Sequence, residues 1–236
     1  MIHALGIDIP GNWISRLEDF MRSFVLLRVV IAAPLLAAGL LAGAFPDPPS
    51  VAVAAPAQKK ATAVLAGGCF WGMQGVFEHV KGVLDTEVGY SGGSKDTAHY
   101  ERIEAGDTGH AESIKIVYDP SKISYGQLLK IYFSVAHDPT TLNRQHNDRG
   151  TQYRSSIFYS DEDQKKIADA YIKELNDKHV FGEPVVTKVV PLQAFYLAED
   201  YHQHYLDRNP DQPYIVSMDL PLIEHLKQQY PDWYKR

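Results

Sequence analysis

The chain predicts an α+β fold, one domain with helices packed on a mixed sheet, set behind an N-terminal segment that is not part of it. Three observations predict this: apolar runs of strand length and stretches of helical spacing alternate irregularly, two strand-like runs come in succession early on, and neither a dinucleotide-binding glycine pattern nor a repeat of 20 to 50 residues is present. At 236 residues the chain is long enough for one sizeable core. Net charge is -6 with acidic and basic residues interspersed, and no basic stripe carries interleaved aromatics, which argues against a nucleic-acid partner.

Residues 1–60 read as a signal or anchor segment with a linker, and residues 61–236 as the folded domain. Residues 24–45 are almost wholly apolar, Arg22 and Arg28 stand at their front, and a Pro/Ala-rich stretch follows. Small residues at Ala52, Ala54 and Ala55 suit signal cleavage, which places the mature protein in the periplasm or outside the cell. The apolar stretch is nearly as long as a bilayer-spanning helix, so an uncleaved membrane anchor through residues 24–45 is the second reading. Met21 makes a better signal start than Met1, and residues 1–20 are read as a start-site artefact.

In the domain, Thr62–Ala66 is an apolar run that stops at Gly67-Gly68, a buried strand. Phe70, Met73, Phe77 and Val80 have helical spacing, so the chain runs strand, turn, helix with Cys69 at the junction. Leu84–Tyr90 and Ala111–Tyr118 are strands. Ser124 caps a helix reaching Val135, and Ser155–Tyr159 is a strand. Ser160 caps a helix opening on Asp161-Glu162-Asp163, whose carboxylates suit the positive helix end. Val185–Val190 is a β-branched run, and Tyr196–Leu206 and Leu222–Gln229 read as helices.

Cys69 is the only cysteine, so no disulfide can form within the chain. A lone cysteine is ordinarily a small buried hydrophobe. Here the helix N-terminus is expected to lower its pKa toward the nucleophilic thiolate, and Gly67, Gly68 and Gly72 are expected to leave the sulfur uncovered. Phe70 and Trp71 cannot both face one core patch and could line an apolar socket beside it. Strand alternation puts Glu112 on the apolar face with Ile114, Ile116 and Tyr118. A carboxyl so placed has its charged form disfavoured and can donate a proton near neutrality.

At GGCFWG the chain resembles the A-type peptide methionine sulfoxide reductases, which act on the S epimer of the sulfoxide. The resemblance continues through GYSGG (89–93), TAHYERI around Tyr100, AGDTGHAE (105–112), YDP at Tyr118, HDPTTLNRQHNDRGTQYRS (137–155) and AEDYHQHYL (198–206). It implies a two-layer α/β sandwich, a ferredoxin-like core with extensions. It further implies that Cys69 is the sulfur nucleophile, that Phe70 and Trp71 hold the substrate methyl and that Glu112 protonates the sulfoxide oxygen. Tyr100 and Tyr153 would hydrogen-bond that oxygen, and Asp148 would support the site. Many members carry further cysteines near the C-terminus, whereas this chain ends QQYPDWYKR without one. Its sulfenic acid would then be resolved by an external thiol of the thioredoxin, glutaredoxin or glutathione type, with no bound cofactor or metal. The competing readings are a cysteine-histidine hydrolase or acyltransferase using His79, His99, His110 or His137, a metal or structural protein using His202, His204 and the neighbouring Asp200, and a non-catalytic binder of oxidised methionine.

Overall fold

The computed structural model describes residues 45–52 and 59–236. The signal, anchor and start-site readings fall almost entirely on residues outside that range. Among the described residues no helix is long and apolar enough to cross a membrane.

Six strands form one mixed sheet in the order β7-β6-β1-β3-β2-β8. They are β1 (Ala61–Ala66), β2 (Val83–Ser91), β3 (Ala111–Tyr118), β6 (Ser156–Tyr159), β7 (Lys188–Pro191) and β8 (Phe195–Leu197). Every pairing is antiparallel except β6 with β7. The α+β expectation therefore holds. On one face α1 (Phe70–Glu78), α3 (Tyr125–Ile131), α4 (Glu162–Asp177) and α6 (Leu220–Gln229) bury the main core, which joins Leu65, Ile114 and Ile116 to Phe77, Leu128, Tyr171 and Leu226. A smaller cluster joins Val64 and Ala66 of β1 to Ala111 of β3 and Phe158 of β6.

Local chemistry explains most boundaries. Ser124 caps α3 as expected, with a full capping box: its hydroxyl accepts from the Gln127 N–H while the Gln127 side chain accepts from the Ser124 N–H. The chain continues as one π turn over Tyr132–Ala136, completing the predicted helical stretch. At α4 the cap is Asp161 rather than Ser160, because the Asp161 carboxylate reaches the Gln164 N–H at 2.8 Å. The β-branched run enters the sheet only at Lys188, since the Val185 and Val186 N–H groups already bond Asn176 Oδ1 and the Pro139 carbonyl.

The largest departure is Tyr196–Leu206, expected as a helix. Its start is β8, paired to β2 through Gly89 and Ser91, and helix returns only at α5 (Tyr205–Arg208). Gln203 forms the intervening link: its amide accepts from the Val88 N–H at 3.0 Å and donates to the Val88 carbonyl at 2.9 Å, as a neighbouring strand would. These bonds to β2 outweigh the helical spacing.

Although residues 1–60 were expected to lie outside the fold, Phe45 at the end of the apolar stretch and the linker residues 46–48 pack against the domain. Phe45 packs edge-on to Phe181, Tyr171 Oη donates to the Pro46 carbonyl at 2.7 Å, and the buried Lys130 ammonium pairs with Asp47 at 2.6 Å.

Candidate active site

Cys69 is the N-cap of α1 and is half-buried. The turn into it needs φ of +100° at Gly68, a conformation only glycine adopts without strain. The room left by the missing Cβ is not open, because one built there would lie 2.5 Å from Gln145 Cγ. At Gly72 a Cβ would lie 2.5 Å from Asp219 Oδ1. The glycines around Cys69 thus admit neighbouring side chains, where the sequence reading expected an uncovered sulfur.

The thiol also departs from expectation. Its pKa stands well above the ordinary value, raised by burial first and then by Glu112 and Asp219, against a smaller lowering by the Trp71 N–H. The helix N-terminus is where it was predicted, but desolvation and carboxylates outweigh it. At neutral pH the resting cysteine is a neutral thiol.

Glu112 behaves as its strand position predicts. It is 3% exposed, it pairs across the sheet with Tyr90, and its pKa is pushed up to about 8, chiefly by burial. One oxygen accepts the Phe70 N–H at 3.1 Å, which ties the acid to the residue after Cys69. A carboxylic acid still protonated at pH 7 is therefore fixed beside the thiol.

Phe70 and Trp71 do not part as expected: Trp71 packs against the same buried cluster as Phe70, their ring centroids lie 6.5 Å apart, and both rings meet His202. Phe70 is buried with Val88, Tyr90, Ile103 and Ala198. Trp71 is half-buried, stacked on Tyr205 at 3.9 Å with the rings 11° from parallel, and met edge-on by Tyr214. Its Nε1–H donates to His202 Nδ1 at 3.2 Å. Indole nitrogen only donates, so His202 must be neutral with its proton on Nε2. Burial favours that state by lowering the His202 pKa.

The remaining predicted residues converge on the same place from three loops. Tyr100 opens the short helix α2 (Tyr100–Ile103), and its N–H donates to Glu199 Oε1 at 2.9 Å. Tyr153 ends a 3-10 turn, Thr151–Tyr153, which is tied to the end of α2 by Thr151 donating to the Gly106 carbonyl at 2.5 Å. Burial raises the pKa of both phenols, and both lie in the fields of Glu112 and Cys69. Asp148 sits on a two-residue ladder of β4 (Arg144–Gln145) and β5 (Asp148–Arg149), anchored where Gln145 fills the space at Gly68. It accepts from Tyr214 Oη at 2.5 Å.

Three residues of this site, Glu199, Tyr214 and Asp219, were missed by sequence reasoning, and His202 was considered only as a metal ligand. Glu199 accepts from Tyr90 Oη at 2.8 Å as well as from the Tyr100 N–H, and so braces two aromatics. His202 orients Trp71. Tyr214 and the buried Asp219 come from the segment after Pro210 and close the side of the site facing α1. Glu199 and His202 stand in the AEDYHQHYL motif, but reading that motif as a helix hid their direction. For Tyr214 and Asp219 no local pattern gave a signal.

Histidine chemistry finds no support in the geometry. Among the described residues no histidine hydrogen-bonds the Cys69 sulfur: His137 bonds Ser155 and the Tyr132 carbonyl, and His110 lies between the Ser94 carbonyl and the Gly93 N–H. His202 and His204 turn to different partners, Trp71 and Glu78. No group of three or more acidic, histidine or cysteine side chains among the described residues is arranged to hold a metal.

Residues 61–233 match the family model described as peptide methionine sulfoxide reductase. The chain is 56% identical over 173 residues to peptide methionine sulfoxide reductase MsrA 2 of Mesorhizobium japonicum, covering 73% of this chain and 89% of that protein. A Synechocystis protein of the same description is 54% identical over 72% of this chain and 79% of its own. Among solved structures, reduced Mxr1 from Saccharomyces cerevisiae superposes with a TM-score of 0.61 at 36% identity, covering 66% of this chain and 90% of that one. Methionine sulfoxide reductase A of Corynebacterium diphtheriae gives 0.57 at 34% identity, over 65% and 77%. With the match spanning nearly all of the domain that carries Cys69 and Glu112, this chain belongs to the peptide methionine sulfoxide reductase family.

Proposed function

We propose that the chain reduces the S epimer of methionine sulfoxide, free and peptide-bound, and so repairs oxidised proteins, with Cys69 as nucleophile and Glu112 as acid. The observation that carries the reading is the protonated Glu112 carboxyl, buried and bonded to the Phe70 N–H one residue from the thiol. Attack by sulfur on a sulfoxide stalls if the oxygen must leave bare, so a proton donor within reach is the central requirement.

In this mechanism the substrate methyl lies against Phe70 and Trp71, the second wall held flat by Tyr205 and His202. Tyr100 and Tyr153 donate hydrogen bonds to the sulfoxide oxygen. Their raised pKa values keep both phenols protonated and able to donate. Asp148, held by Tyr214, fixes the polar edge. The oxygen passes to Cys69 as a sulfenic acid and methionine leaves. With one cysteine in the chain, an external thiol must resolve that sulfenic acid, of the thioredoxin, glutaredoxin or glutathione type.

The test is to mix the purified chain at equal molarity with the separated S and R epimers of a blocked methionine sulfoxide, without reductant, and quantify methionine by chromatography. About one methionine per enzyme from the S epimer alone is expected. Equal yields from both epimers, or none from a folded sample, would refute the reading.

A further inference from the structure

Among the described residues two carboxylates are buried, Glu112 and Asp219, and the mechanism above uses only the first. Asp219 ends the π turn Ile215–Asp219 and immediately precedes α6. Its Oδ1 lies against the bare α-carbon of Gly72, three residues after Cys69. Positions three apart share one face of a helix, so the carboxyl stands on the Cys69 side of the first turn of α1. Its Oδ2 is buried with no hydrogen-bond partner, and among the described residues no ion pair engages Asp219. A buried carboxyl left unpartnered is costly, and native structures seldom retain one without a use.

Resting on the reductase reading, we propose that Asp219 is the base that receives the Cys69 proton, through an intervening water, so that thiol and sulfoxide oxygen are served by different carboxyls. The need for a base follows from the neutral resting thiol. In the step, the Sγ–H bond breaks and its proton passes through that water to Asp219. The sulfur electron pair attacks the sulfoxide sulfur while Glu112 gives its proton to the oxygen. The oxygen ends on Sγ as the sulfenic hydroxyl, Cys69 is oxidised by two electrons, and the sulfoxide is reduced to the thioether. Glu112 is left as carboxylate and Asp219 as acid, and one proton moving back between them resets the pair. The ionisable groups facing Asp219 are Cys69 from α1, Glu112 from β3, Asp148 from β5 and Tyr214 from its own segment. Burial and then Asp148 raise its pKa to about 7, and burial raises that of Glu112 to about 8, so both carboxyls titrate near neutrality.

The test follows single-turnover methionine formation from the S epimer between pH 5.5 and 9, with Cys69 alkylation by iodoacetamide measured in parallel. The wild-type rate is expected to rise as Asp219 ionises near pH 7 and fall beyond pH 8. Asp219→Asn should lose the rising limb and slow about 100-fold at pH 7.5. Its alkylation should be no slower than wild type, since removing a negative charge favours the thiolate. Gly72→Ala keeps every ionisable group but forces the carboxyl aside, and should lose the same limb. A wild-type pH profile in both variants, or alkylation that falls in step with reduction in Asp219→Asn, overturns the proposal. Absence of methionine from the wild-type chain itself would instead refute the reductase reading on which the proposal rests.

Discussion

The β1–α1 junction and the segment from Glu199 to Asp219 supply opposite sides of one site, yet they are built in different ways. The junction is made by covalent neighbours: Gly68 turns the chain, Cys69 caps the helix, and Phe70 and Trp71 follow as adjoining aromatic walls. The later segment is held from a distance. Glu199 bonds Tyr90 and Tyr100, Gln203 bonds Val88, and Asp219 meets Gly72. The junction places the sulfur, whereas the later segment decides what surrounds it. The raised thiol pKa makes the point, because part of the effect comes from Asp219, 150 positions further along the chain.

Breaking the junction side should cost the most chemistry. Glu112→Gln is expected to slow methionine formation by roughly 10²- to 10⁴-fold at pH 7 and to abolish the fall in rate above pH 8, read by stopped-flow single turnover. Its stability should move the other way. A carboxyl whose folded pKa is raised from 4.5 to about 8 favours the fold fully below pH 4.5 and loses that contribution as pH rises toward 8. Glu112→Gln should therefore melt higher than wild type at pH 8.5 and show little advantage at pH 4.5, read by differential scanning calorimetry.

Next in size is Tyr153→Phe, which removes one donor proposed for the sulfoxide oxygen and should lower kcat by up to about 100-fold with KM little changed. This variant separates the proposed oxygen-holding role from packing, since the ring remains.

The distant side should yield smaller effects, seen in binding and stability before rate. His202→Ala leaves the Trp71 Nε1–H without its acceptor, a cost of about 1–3 kcal/mol, and frees the indole wall. A raised KM with a smaller change in kcat is expected, and a fall in kcat alone would show that His202 does more than hold Trp71. Gln203→Ala removes its bonds to Val88 and the Ala198 carbonyl and should cost about 1–2 kcal/mol, read in urea melts.

The same contrast explains what the sequence made legible. Strand β1, the turn and helix α1 follow from spacing and glycine placement over a dozen residues, and Glu112 from simple alternation along β3. Tyr196–Leu206 carried helical spacing but was drawn to the edge of β2 by bonds whose partners lie about 110 positions away, which no local pattern encodes. The direction of the Cys69 pKa shift failed for the same reason: the dipole is local and legible, while burial and the carboxylates that outweigh it arrive with the tertiary fold. The residues matched by family resemblance lie far apart in sequence, and Tyr153 lies in the fields of Tyr100, Asp148 and Cys69.

The most direct test of the central claim is the intact mass of the chain after one equivalent of the S sulfoxide, with dimedone added to capture sulfenic acid. One dimedone adduct mapped to Cys69, matched by one methionine released, is the expected result. Methionine released with Cys69 unmodified, or an adduct on another residue, would contradict it.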